Sequence, residues 1–219
     1  MKKQMPFRYL LLSILIVTSG FAQDYYHKGK LNELKQQCKE HKNTLENQKT
    51  IDEWFYSYIK SYKTDIDVID VFIKDCKADV NYVPKSSSSM PPLFEAIYKG
   101  DTALVKLLVQ NNADVNMDSP WRSPLRFTLF SHTKESKKIF SYLLEHGANP
   151  NYKDSSGISI ITTIARTSQK YLSNQDALFY AKELLRYNAK VTKEDILFAK
   201  KNEKKELYNL FLKYDRRIN

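Results

Sequence analysis

A chain of 219 residues, 42% of them hydrophobic, has material for one ordinary domain or a short repeat array, which excludes wholesale disorder. Five glycines and seven prolines are few for a turn-rich β-sandwich and suit a helical chain. The formal charge of +10, from 35 basic and 25 acidic residues, draws the surface toward polyanions: acidic proteins, anionic lipid or nucleic acid.

The chain opens with Lys2, Lys3 and Arg8 ahead of an apolar run, residues 10–17, interrupted only by Ser13. Gly20 and Ala22 then offer small residues three and one positions before a cut at Gln23. The run falls short of the roughly 18–20 apolar residues that span a bilayer. Residues 1–22 are therefore predicted to be a cleaved signal peptide, with no membrane span. The twin-lysine start and short leader suit a bacterial exported protein, periplasmic or secreted. Loss of the leader's three basic residues lowers the charge from +10 to +7. Export also makes nucleic acid an unsuitable partner.

Residues 23–64 read as an N-terminal helical cap. Leu31, Leu34, Cys38 and Leu45 fall at helical spacing, and an aromatic helix follows with Trp54, Phe55, Tyr58, Ile59 and Tyr62. The chain has two cysteines, Cys38 and Cys76. In an oxidising compartment they can form a disulfide, adding about 3–4 kcal/mol in the chain-entropy model. They serve equally as small apolar core residues, and the sequence leaves both readings open.

A repeat runs through the middle. Ala78-Asp79-Val80-Asn81 recurs as Ala113-Asp114-Val115-Asn116 and as Ala148-Asn149-Pro150-Asn151, 35 residues apart both times. Ala189-Lys190-Val191-Thr192 is a weaker copy 41 residues later. Each copy follows an apolar helical stretch, such as Leu104, Leu107 and Leu108 at i, i+3 and i+4. Before two of these lies a shorter helix opened by Pro92-Leu93 or Pro124-Leu125, where a proline sacrifices no intrahelical hydrogen bond.

These residues resemble the ankyrin repeat. Pro92-Leu93-Phe94-Glu95-Ala96, Gly100-Asp101, Val105-Lys106-Leu107-Leu108 and Asn112-Ala113-Asp114-Val115-Asn116 together look like one complete unit, and residues 143–151 are similar to the end of another. The fold class this implies is all-α: an ankyrin-type helical solenoid of about four helix-pair repeats over residues 65–192, between the N-terminal cap and a C-terminal helical cap, residues 193–219. Gly100, Asn112 and Gly147 stand where the chain leaves a helix in a left-handed conformation. Asn81, Asn116 and Asn151 are expected to bond neighbouring hairpin backbone. Thr192, with Glu194 and Asp195, opens the C-terminal cap. Its buried side is expected to be Ile196, Leu197 and Ala199, followed by Leu207, Leu210 and Phe211.

Departures from the pattern are plain. Four serines, residues 86–89, lengthen one hairpin. Thr128 stands where the family has a small residue, and His132 where the preceding unit has Gly100. Ile160-Ile161 replaces Pro-Leu, and a polar insertion near residues 167–175 displaces the next helix.

Catalytic chemistry is not visible. His27, His41, His132 and His146 form no zinc spacing with the cysteines, and there is no glycine-rich phosphate loop, nucleophile elbow or acidic calcium loop. No catalytic residue, metal site or cofactor is expected, and His132 alone lies near the expected concave side. The ankyrin resemblance implies binding there. It gives Tyr98, Lys99, Phe130 and Arg166 on the first helices, and Trp121, Arg122 and Lys153 at hairpin tips. Their basic character favours an acidic protein bound by a monomer. An immunity protein against a toxin is one concrete form. The alternatives are a secreted host-interaction factor and an envelope protein binding anionic lipid or wall polymer.

Overall fold

The computed structural model describes residues 30–36, 38–39, 45–61, 64–85, 89–119 and 123–218. The leader, His27, His41, Trp121 and Arg122 lie outside the described residues. The chain packs as two compact units: residues up to Glu95 with Gln110–Ala113, and Ala96–Val109 with Asp114 onward.

In the N-terminal unit residues 30–36 are helical, followed by α1 (Leu45–Lys60) and α2 (Ile66–Lys74). Asp65 caps α2 by accepting the Asp67 N–H, and Val68, Ile69, Phe72 and Ile73 supply the buried stripe of this helix. Phe72 meets Phe55 and Tyr58 of α1 at ring-centroid distances of 6.1 and 6.2 Å, so the aromatic helix packs on α2. Cys38 and Cys76, both 1% exposed, are joined in a disulfide with Cα atoms 4.8 Å apart. The bridge ties the first helical segment to the turn leaving α2.

Helix α3 (Pro92–Lys99) crosses the division between the units, and α4 (Thr102–Gln110) follows after only Gly100 and Asp101. In the C-terminal unit come α5 (Pro124–Phe127) with its 3-10 extension Thr128–Phe130, α6 (Ser136–Glu145), α7 (Ile160–Arg166), α8 (Asn174–Arg186), α9 (Lys193–Lys201) and α10 (Lys205–Ile218). The fold class is all-α, built of ankyrin-type helix pairs, and the described residues hold one isolated β-bridge, Lys153–Ser159.

Local chemistry sets the helix starts. Ser123, Ser159 and Ser173 cap α5, α7 and α8, each accepting the N–H three residues on. Thr192 and Asp195 form a reciprocal capping box on α9. The ends are equally regular. Asp101 and Gly100 donate to the carbonyls of Ala96 and Ile97, and Lys204 and Glu203 do the same to Ala199 and Lys200. This pairing needs a left-handed residue, supplied by Gly100 (φ 67°) and Glu203 (φ 58°). The segment read as a C-terminal cap thus turns between its two helices as the repeats do.

One expectation for that segment fails. Ile196 and Ala199 are buried, whereas Leu197 is 65% exposed. With 100° between neighbouring residues, Leu197 cannot share the stripe fixed by Ile196 and Ala199. Leu207 and Phe211 are buried as read, while Leu210 is half-buried.

Candidate functional site

The hairpins form a ladder of side-chain amides. Asn116 Nδ2 donates to the Gly147 carbonyl at 2.9 Å, while its Oδ1 accepts the Asn149 N–H at 2.7 Å. Asn151 repeats both bonds one unit on, with Asn188 at 3.1 Å and Lys190 at 2.8 Å. Asn81 donates to Asn112 at 3.1 Å within the N-terminal unit. The accepting carbonyls belong to residues of positive φ, Asn112 (69°), Gly147 (88°) and Asn188 (62°), so each asparagine locks the left-handed turn of its neighbour.

Within the N-terminal unit helix α1 supplies the same pair of bonds without an asparagine. Gln48 Nε2 donates to the carbonyl of Lys77, also left-handed at φ 60°, and Asp52 Oδ1 accepts the Asp79 N–H. Two helical side chains, i and i+4, thereby do the work of one hairpin amide. Burial raises the Asp52 pKa despite the bonds from Asp79 and Gln48. Sequence reading missed this pair, because neither residue lies in a hairpin.

A second anchor fixes the hairpin before α7. Arg126 Nη1 donates to Asp154 Oδ2 at 2.6 Å, and Asp154 Oδ1 accepts the Ser156 and Ile158 N–H groups. Burial alone would raise the Asp154 pKa. The bonds from Ile158 and Ser156, reinforced by Arg126, lower it instead. Gly157 adopts φ 74° to close the turn.

The exposed side of the first helices follows from what they bury. In α3 Leu93, Ala96 and Ile97 are buried, in the α5 segment Leu125, Thr128 and Leu129, and in α7 Ile161, Ile164 and Ala165. These are the second, fifth and sixth positions of each segment. Thr128 fills the small-residue slot at no unsatisfied cost, since its Oγ1 donates to the Leu125 carbonyl at 2.8 Å. The seventh position therefore faces outward each time: Tyr98 (61% exposed), Phe130 (40%) and Arg166. Phe130 is thus a surface aromatic and not a core residue.

Of the other residues singled out, Lys153 is exposed beside its β-bridge and Lys99 is half-buried. The Arg166 guanidinium lies 5.0 Å from the Phe198 ring centroid, a cation–π contact that holds it against α9. His146 donates from Nδ1 to the Tyr142 carbonyl at 2.8 Å and stays exposed at the end of α6. His132, left-handed at φ 52°, lines a cavity of about 320 Å³ together with Tyr171, an exposed aromatic that sequence reading passed over inside the polar insertion. Among the described residues no cluster of three or more His, Cys, Asp or Glu could hold a metal, and no helix is long and apolar enough to cross a membrane.

Capped helix pairs, left-handed turns in phase and hairpin amides that bond the next turn within each unit are features of ankyrin-type repeats. Comparison with known proteins agrees: residues 57–154 match the family model of ankyrin repeats (3 copies). The chain is also similar to human Rabankyrin-5, 33% identical over 109 residues. That match takes in 45% of this chain and only 9% of Rabankyrin-5. Over the residues matched, 57–154, ankyrin repeats indicate a protein-interaction module.

Proposed function

We propose that the chain is an exported, non-enzymatic, monomeric module that binds an acidic protein through the row carrying Tyr98, Phe130 and Arg166, extended by Lys99, Trp121, Arg122 and Lys153. The observation that carries this reading is the seventh-position row. Tyr98 and Phe130 are large aromatics left in solvent at the same register of successive units, where a core requirement does not explain them. Lys153 and Arg166 add positive charge, which favours a partner bearing carboxylates.

Export is supported by the basic-then-apolar leader and by the Cys38–Cys76 disulfide, a bond at home in an oxidising compartment. An immunity protein that blocks an incoming toxin is the concrete form we favour.

Photocrosslinking from benzoylphenylalanine placed at Tyr98 and Phe130 in the encoding organism tests the binding row. One protein band crosslinked from both sites, and absent when the probe is at Asn209, is expected. Labelling equal from all three sites would refute the row. Recovery of a chain beginning at Gln23 from the cell envelope would support export, and a chain retaining Met1 in the cytosol would refute it. For immunity, the chain should rescue growth against a toxin encoded beside it.

A further inference from the structure

Helices α7 and α8 are separated by residues 167–173, whereas Gly100 and Asp101 alone separate α3 from α4. This inserted loop and the turn before α6, both in the C-terminal unit, line the open 320 Å³ cavity. Its lining includes Thr128, His132, Lys134, Lys137, Tyr171 and Asp176. The polar wall is pre-organised: Ser136 Oγ accepts the Thr133 N–H at 3.0 Å and bonds the Ser131 hydroxyl at 2.8 Å.

The lining carries two lysines, Lys134 and Lys137, against one carboxylate, Asp176, while Glu135, next to Lys134, is paired with Lys138 at 2.9 Å. Asp176 is paired with Lys137 at 2.6 Å and accepts from the Ser173 hydroxyl at 2.6 Å; these bonds lower its pKa, so its charge is already matched. Exposed Lys134 stands in the lining, and exposed Lys170, outside the lining, holds its Nζ 5.6 Å from the centroid of the lining residue Tyr171. Tyr171 is 58% exposed, next to Leu172, which is buried, while the rest of the loop is polar.

We propose that this cavity receives an aspartate or glutamate side chain of the protein partner, held by Lys134 and Lys170, while an apolar neighbour of that residue packs on Tyr171. The inference rests on the binding-module reading above and gives it a specificity pocket. The volume suits one or two side chains and lies at the small end of ligand sites. Nucleic acid needs a continuous basic track for its phosphates. Here a carboxylate and an aromatic interrupt the lysines, which suits a protein side chain better.

The test is selection of random twelve-residue peptides on the folded full chain, followed by fluorescence anisotropy with the enriched peptide. Enriched peptides are expected to carry Asp or Glu next to an apolar residue. Replacing that Glu by Gln, or Lys134→Glu or Lys170→Glu in the protein, should each weaken binding about ten-fold. Tyr98→Ser should change it less than two-fold, and thermal melts of the lysine variants should match the parent. Enrichment of peptides without acidic residues would overturn the pocket's chemistry. Acidic peptides lost with Tyr98→Ser but indifferent to both lysines would overturn the pocket and leave the row standing. Binding of a DNA duplex through the same lysines, with no peptide enriched, would overturn the assignment to a protein side chain. If crosslinking from Tyr98 and Phe130 fails as well, the broader reading falls separately.

Discussion

Asp52 Oδ1 accepts the backbone N–H of Asp79 at 2.8 Å, in the role that Asn116 and Asn151 fill for Asn149 and Lys190. The difference is charge. Asp52 is 7% exposed, and burial raises its pKa, so ionisation at neutral pH costs folded-state stability. A carboxyl raised in the fold contributes fully below its unfolded value and loses that contribution as pH climbs through the folded one. Asp52→Asn keeps the accepting oxygen and removes the charge. It should raise the melting temperature at pH 7 and leave it nearly unchanged at pH 3. Asp52→Ala should destabilise at pH 7 by about 1 kcal/mol, because the Asp79 N–H and the Gln48 amide, both in part-buried bonds, lose their acceptor.

Asp154 has the opposite sign. Its pKa is lowered, so its contribution is present above the unfolded carboxylate value, about 3.9, and disappears as pH falls through the folded value. The Asp154 side chain is 2% exposed and that of Arg126 14%, so removing one partner strands a poorly solvated charge. Asp154→Ala should cost about 3–5 kcal/mol at pH 7 in urea unfolding. The gap from the parent should hold between pH 5 and 7, then narrow below about pH 4. A gap unchanged at pH 3 would show that the carboxylate charge is not what holds this hairpin.

Gly100 is bound by two constraints at once. Its φ is 67°, and a Cβ there would stand 2.7 Å from the Thr133 Cβ. Contact at that distance forces movement of a branched side chain whose hydroxyl is bonded to Ser136. Gly100→Ala should destabilise by about 2–4 kcal/mol, summing left-handed strain with the clash. Gly147, at φ 88° but with open space around its Cβ position, isolates the strain alone. Gly147→Ala should cost only about 1–2 kcal/mol in the same urea titration.

What was legible in the sequence was what recurs in phase. The spacing of Ala113-Asp114-Val115-Asn116 with its copies located the left-handed turns at Asn112 and Gly147 and the hairpin asparagines. The ankyrin resemblance pointed to Tyr98, Phe130 and Arg166 on the first helices, and the structure leaves all three exposed. What depends on juxtaposition was not legible. Gln48 and Asp52 lie in a helix with nothing to mark them as hairpin partners, and Arg126 meets Asp154 across 28 residues of sequence. The cavity beside Tyr171 requires an insertion to fold back on the turn at His132, which composition does not encode. Leu197 shows the converse error: its apolar character suggested burial, but the register of its neighbours decided the matter.

Lys204 is 1% exposed, and its Nζ donates to the Ile164 carbonyl at 2.7 Å. Asn202 Nδ2 reaches the neighbouring Ala165 carbonyl at 3.0 Å, so the turn between α9 and α10 caps the end of α7. Burial pushes the Lys204 pKa down to about 8, well below the ordinary lysine value. Between these values the unfolded chain binds the proton more tightly, so stability should rise with pH through that window. The rise should amount to roughly 3 kcal/mol, at 1.4 kcal/mol per unit of pKa difference. Lys204→Met keeps the apolar stem, removes the titration and surrenders one hydrogen bond. Urea unfolding at pH 7 and at pH 10 distinguishes the effects: the variant should match the parent within about 1 kcal/mol at pH 7 and fall clearly behind it at pH 10. A difference of equal size at both pH values would mean that Lys204 acts through its hydrogen bond alone and that its burial carries no protonation cost.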